Sequence, residues 1–409
     1  MSLFSFKESA ERIGAVIDIG SASVLVSLVS SIPNQPHPRI IWSHREHAPL
    51  RNIDSLDQSS KAVMTALMNA LLKLDVEGRR ALRDYKSGLK VTEAQFTISA
   101  PWSYTVSKTI NYAQEEPYEV SNELIEELLR AAVQKIREDL GDSESVNELG
   151  LTVITRATMD LLTNGYRVKY PIGQEAKELS ISHASVVTQQ YLVEHIDDLQ
   201  NKIFPGTECK KTSYMLAFYC VAQDLYPDTF DTCLVHISYE ATEIGIVRDG
   251  TLRYSTHTPF GSFSLAREIA NITGVPLYEA FQYLHDDNPH DFIENLSESR
   301  RNEIEQVFEA YTARVADLFR QTGDELSIPK SVLLHADLKS EKFFKDITDK
   351  AARRTLKSDP LIKLVSPNLF DIMTHGEQAN KPEALTDTAM LVSAQFFHKG
   401  DHLRFFEYL

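Results

Sequence analysis

One strand-turn-strand plan occurs twice in this chain, and that duplication restricts the fold more than any other feature of the sequence. The second copy, Thr232 to Ile269, is the clearer one. It reads as a strand (Cys233 to His236), a short turn, a strand (Thr242 to Arg248), the turn Asp249-Gly250 and a third strand (Thr251 to His257). Pro259-Phe260-Gly261 then leads into a helix. Asp-Gly between alternating runs is a strong hairpin signal, because both turn positions need positive φ. The first copy has Ala15 to Ile17, the turn Asp18-Ile19-Gly20-Ser21, Ala22 to Val29, and Arg39 to Arg45. Such a repeat predicts a duplicated fold in which the two turns face each other across a cleft.

The rest of the chain alternates strands with helices, which implies an α/β fold with parallel or mixed sheets. Ala62, Val63, Ala66, Leu67, Ala70, Leu71 and Leu74 recur at helical spacing. Ala94 to Ala100 is a β-rich run. Ser121 caps a helix with Leu124, Ile125, Leu128, Leu129, Ala132, Val133 and Ile136 on one face and Gly141 at its end. Strands are expected at Leu151 to Ala157, Tyr166 to Tyr170 and Glu178 to Ser182, and a helix at Ala184 to Leu199. Further helices are expected from Ser213, at Tyr278 to Leu284, Glu303 to Arg320, Lys339 to Lys350 and Glu383 to Phe397, with a strand at Ser331 to Leu334. The expected organisation is a first lobe over 10–91 and 184–228, a small inserted α+β subdomain over 92–183, a second lobe over 229–400 and a tail over 401–409.

Composition narrows the partners. A chain of 409 residues, 43% hydrophobic and 24% charged, has ample core for several units. No apolar run reaches the ~18 residues of a membrane span, and Met1 to Lys7 lacks a signal-peptide core. Cys209, Cys220 and Cys233 have no metal spacing, which suits a reducing compartment and a cytoplasmic protein. A net charge of -16 argues against nucleic acid as the main partner and against broad adhesion to anionic lipid.

Val16-Ile17-Asp18-Ile19-Gly20-Ser21 resembles the first phosphate loop of the actin, sugar kinase and Hsp70 superfamily. Phe96 to Tyr104 is similar to the strand and loop that enter the insert domain of the bacterial FtsA/PilM group. Tyr166, Pro171-Ile172-Gly173 and Leu179 are similar to the run that closes it. Thr258-Pro259-Phe260-Gly261 matches the segment after the second hairpin. The resemblance implies a two-lobed actin-like fold with ATP and magnesium in the cleft, held by Asp18, Gly20, Ser21 and Gly261. It also implies a cytoplasmic scaffold at the inner membrane. Its partner would be the cytoplasmic tail of an inner-membrane protein of type IV pilus assembly, or a division protein, and self-association would use the same insert and lobe.

The sequence departs from the pattern that the resemblance implies. The second loop reads His236-Ile237-Ser238-Tyr239-Glu240-Ala241, with His236 for the metal-linked carboxylate and Ser238, Tyr239 and Glu240 for glycines. A tyrosine fills phosphate volume. Glu240 beside a polyphosphate would cost about 1–4 kcal/mol at ~4 Å. The adenosine glycines are replaced by His335-Ala336-Asp337, and the nucleoside-facing Glu and Lys by Phe281 and Leu284. These departures argue against hydrolysis, so no cofactor is expected. The alternative is an active ATPase using non-standard residues, with Glu240 or Glu243 as the carboxylate near the γ-phosphate. Asp18 and His236 could together suggest a metal or acid–base site, but a turn aspartate and a satisfied histidine are the plainer reading. The run Leu403 to Leu409 is expected to pack back on the last domain, with a docking peptide as the alternative. The chain stops soon after Lys399-Gly400, so the amphipathic membrane helix that ends FtsA-type proteins is not expected.

Overall fold

The computed structural model describes residues 11–48, 56–140, 150–286, 288, 291–322, 328–337, 340–356, 358–370, 373–374, 387–399 and 406–409. The expectations placed on Gly141, Lys339, Glu383 and Phe405 lie outside these. In chain order the first part has β1 (Arg12–Ile19), β2 (Ser23–Ser31), β3 (Arg39–His47), α1 (Leu56–Lys73), a π turn (Leu74–Gly78), α2 (Arg79–Tyr85) and β4 (Glu93–Ile98). Then come β5 (Ser103–Glu119), α3 (Asn122–Leu140), β6 (Leu151–Thr163), β7 (Tyr166–Arg167) and β8 (Glu175–Gln189). The chain returns through α4 (Gln190–Ile203), β9 (Glu208–Ser213) and α5 (Tyr214–Leu225). The second repeat holds β10 (Thr232–Ile237), β11 (Thr242–Arg248), β12 (Thr251–Thr258), α6 (Ser262–Thr273), α7 (Leu277–Tyr283), α8 (Asp291–Glu294), α9 (Glu298–Gln321), β13 (Ser331–Ala336), α10 (Glu341–Arg353) and β14 (Leu361–Leu364). β15 (Met373–Thr374), α11 (Thr388–Lys399) and β16 (Phe406–Tyr408) follow, and belong to the other two sheets.

Two sheets share one plan. The first runs β15-β3-β2-β1-β4-β9 and the second β12-β11-β10-β13-β14. In each, a three-stranded antiparallel meander is extended by parallel strands (β1 with β4, β10 with β13). The Asp249-Gly250 turn has φ 50° and 69°, the left-handed pair that joins twisted strands without splaying them. Each repeat has its own core, one around β1, β2, α1, α5 and α11, the other around β10, β11, α6, α9 and α10.

A third sheet, β16-β6-β8-β5, is covered by α3 through Leu128, Ala132, Leu161 and Leu179. Ser121 caps α3 as expected, accepting from Leu124 N at 3.2 Å. Strand pairing redraws several expected edges. β4 belongs to the first sheet, beside β1, and the third sheet takes up 103–189. The segment from Ala184 is not helical until Gln190, because Val186, Val187 and Thr188 continue β8 between β5 and β6. α11, expected with the second lobe, packs on the first sheet: Ser393 O accepts from Gln95 Nε2 at 3.1 Å. A Cβ on Gly14 would lie 2.5 Å from the Phe397 ring, so this close approach of strand and helix requires glycine. The tail pairs with β6 rather than with the last lobe, because β6 offers a free edge there.

Candidate functional site: the cleft between the two turns

The C-terminal ends of β1 and β10 carry the two turns, and in this protein the turns touch. Ser21 Oγ donates to Ser238 Oγ at 2.9 Å and accepts from Glu240 N at 2.8 Å. Ser238 Oγ passes its own proton to Ala241 O at 3.1 Å. Backbone donors at the start of a helix can bind an anion. Here the first N–H groups of α6 are spent on the second turn, Ser262 N on Ser238 O at 3.0 Å and Phe263 N on Tyr239 O at 2.8 Å. The approach is tight enough that a Cβ on Gly261 would lie 2.2 Å from Ser238 O.

Tyr239 is 2% exposed. Its ring stacks on Phe281 at 5.5 Å and meets Phe263 at 6.2 Å, and its hydroxyl lies 3.3 Å from His47 Nδ1. Phe281 therefore lies beside the second turn, while Leu284 is buried in the second core. Glu240 corrects an expectation. It does not place a bare negative charge in the cleft, because Arg267 bonds both its oxygens at 2.6 Å and Ser264 Oγ donates at 2.8 Å. The sequence put Arg267 on the next helix without showing which face it took.

Behind the turns lies a buried polar network. Asp18 accepts from Thr97 Oγ1 at 3.0 Å, and burial, then the charge of Asp337, pushes its carboxyl up to about 8. His236 and His335, opposite each other on β10 and β13, meet at 2.8 Å through their Nδ1 atoms. His335 Nε2 lies 2.9 Å from Thr388 Oγ1, which donates to Glu341 at 3.2 Å. Burial and the Arg45 charge depress His335 to about 3, so this pair is neutral. Ala336 ends β13 fully buried, and burial raises Asp337, next along, to about 6. Arg45 is the central cation: it bonds both oxygens of Asp387 at 2.9 Å and Ser23 Oγ at 2.6 Å. Glu243, opposite His236, is 1% exposed and is raised to about 8 by burial.

The structure thus brings Asp18, Gly20, Ser21, His236, Ser238, Tyr239, Glu240, Gly261, His335, Ala336 and Asp337 to one junction. Sequence reasoning missed Arg45, Thr97, Asp387 and Thr388. Only Asp387 had a local signal, an acidic residue just before an apolar helix, and it does cap α11 by accepting from Met390 N at 3.3 Å. Among the described residues, no cluster of three or more His, Cys, Asp or Glu is placed to hold a metal ion. A polyphosphate entering between these turns would displace the Ser21–Ser238 and Glu240–Ser21 bonds.

Two repeated sheets with facing turns are the actin-like ATPase fold, and this chain carries a third sheet inserted after β4. Among solved structures the chain is similar to one from the PilM-PilN type IV pilus biogenesis complex, with 12% identity and a TM-score of 0.59 over 95% of this chain and 98% of that one. It also matches ethanolamine utilization protein EutJ from Carboxydothermus hydrogenoformans, at 11% identity, TM-score 0.41 and coverage of 94% and 89%. A Bacteroides thetaiotaomicron protein with an actin-like ATPase fold and unknown function matches at 9% identity, TM-score 0.37 and coverage of 96% and 98%. No family model matches the sequence, and no curated protein does. Among the described residues no helix is long and apolar enough to cross a membrane.

Proposed function

We propose that the protein is an actin-like scaffold of the PilM type that does not turn over ATP and that recruits the cytoplasmic part of a membrane protein. The observation that carries this is the direct bonding of the two turns through Ser21. The full-length likeness to a chain of the PilM-PilN complex favours a pilus-type partner over a division protein. The third sheet with α3, residues 103–189, is the module assigned to recruitment: it has a small core of its own under α3, while its base, Ile154, Ala157 and Val186, packs into the first core.

Millimolar Mg-ATP is expected to leave the melting temperature unchanged. A ligand at 100 times its Kd would add about 2.7 kcal/mol, a shift of a few degrees. A clear upward shift, abolished by Asp18→Ala, would overturn the closed-cleft reading. Recruitment is tested separately. Residues 103–189 are replaced by a Gly/Ser linker, folding is checked by circular dichroism, and solubilised membranes are used in a pull-down. A folded variant that retains the same membrane partners at the same yield removes the module from the proposal.

A further inference from the structure

Between α3, β6, β8 and β16 lies a cavity of about 820 Å³. Leu129, Val133 and Phe406 line it together with Arg156, His183 and Glu407. Its polar capacity is unspent. His183 is only 4% exposed and neither ring nitrogen has a hydrogen-bond partner, and Arg156 Nε is buried without one. Burial, with the Arg156 charge beside it, holds His183 neutral with its pKa near 4. At neutral pH it therefore offers one N–H and one lone pair.

β16 occupies the adjoining edge. Phe406, Glu407 and Tyr408 pair antiparallel with Ala157, Arg156 and Thr155, and Leu409 N donates to Ile154 O at 2.9 Å. The strand brings a carboxylate towards Arg156, but Glu407 Oε2 stays 3.5 Å from Nη1 and is 61% exposed. Charge-assisted bonds are normally about 2.7–2.9 Å. The resident strand thus sets an acidic residue between aromatic ones against this edge, and its carboxylate engages Arg156 only loosely.

We propose that the β6 edge is a strand-docking site held in reserve by the chain's own last strand. Its partner is an extended peptide with an acidic residue between apolar or aromatic ones. That peptide adds to the sheet in place of β16, and its carboxylate reaches Arg156 and His183. Main-chain pairing supplies affinity and the alternate side chains supply choice, as in other edge-strand recognition. The proposal rests on the recruitment reading for its partner, but its test does not.

The probe is a fluorescein-labelled peptide of residues 401–409, with its Glu407→Gln counterpart. Anisotropy is measured on a chain ending at Gly400, on the full-length protein and on full-length Glu407→Lys, which sets an ammonium opposite Arg156. Binding to the shortened chain is expected to be about tenfold or more tighter than to the full-length protein, whose tethered strand competes at about millimolar effective concentration. The Gln peptide is expected to bind about tenfold more weakly than the Glu peptide. Glu407→Lys is expected to bind the probe better than the unaltered chain, so the result does not depend on the truncation folding. Equal binding of the Glu and Gln peptides, or binding to neither altered protein, overturns the proposal. Because the probe is the chain's own segment, either result is independent of the membrane pull-down.

Discussion

Arg45→Met is expected to lower the unfolding free energy by about 3–5 kcal/mol, the usual cost of removing one partner from a buried ion pair. Arg45 and Asp387 are about nine-tenths buried, and the guanidinium satisfies both carboxylate oxygens. Without it Asp387 loses its counter-ion, and Asp18 and Asp337 lose the one positive charge that lowers both carboxyls. Methionine fills much of the volume, so the loss measures charge rather than a cavity. Arg45→Lys is expected to recover only part, because an ammonium cannot make the paired contact. Urea unfolding gives the value, and a loss under about 1 kcal/mol would show that the pair is better solvated than its burial implies.

Stability is expected to fall as the pH rises from about 7 towards 8.5. Burial raises Asp18 and Glu243 to about 8 and Glu341 to about 7, whereas an unfolded chain releases these protons near 4. The folded protein therefore holds protons that the unfolded chain gives up. That stabilisation, complete below pH 4, is lost as the pH climbs through the folded values. His236 and His335, with His47, His183, His257, His285 and His398, act oppositely. Their folded pKa values lie below the unfolded 6.5, so their stability is present above about 6.5 and lost as the pH falls. Above about 7 the carboxyls dominate, at about 1.4 kcal/mol per unit for each group inside its window. Melting temperatures at pH 7.0, 7.5 and 8.5 should fall in that order, and Asp18→Asn should flatten the slope. A flat or rising profile would mean that these carboxyls ionise freely in the native state.

The residues that could be read from the sequence are those whose neighbours are local. The Asp249-Gly250 hairpin, the Ser121 cap and the buried stripe of Val63, Leu67, Ala70 and Leu71 on α1, continued by Leu74 in the π turn, each depend on contacts within a few residues, and all three were visible. β5 was not, although Tyr104, Val106, Ile110 and Tyr112 fall on alternate positions: Lys108 interrupts that run, and Gln114, Glu115 and Glu116 carry no apolar signal at all. Its strand state is imposed by β8 across thirteen paired positions. The start of α4 was misplaced for the opposite reason: Ala184 to Gln189 is apolar enough for a buried helix, and only its β-branched Val186, Val187 and Thr188 argued for strand. In the cleft, His236, Tyr239 and His335 stood out against the pattern that the resemblance implied. The bonds that join them did not. Arg45 meets Asp387 across 342 residues, and Thr97 meets Ser393 across 296, distances over which no spacing rule operates.

α11 has a consequence for how the chain is made. It covers the strands that begin the sequence, with Phe397 against Gly14, and the bond from Arg12 to Phe397 O spans 385 residues. β4 ends at Ile98 and α11 at Lys399, so at roughly 5–20 residues per second of synthesis β1–β4 wait on the order of 15–60 s for the helix that closes their core. During that time Gln95 and Thr97 lack their α11 partners and the Gly14 face of β1 lies uncovered. The opening lobe is thus completed last, after the second repeat has been synthesised. A nascent chain stopped before Thr388 should engage chaperones and be cut readily by protease within β1–β4, although every residue of those strands has already been made.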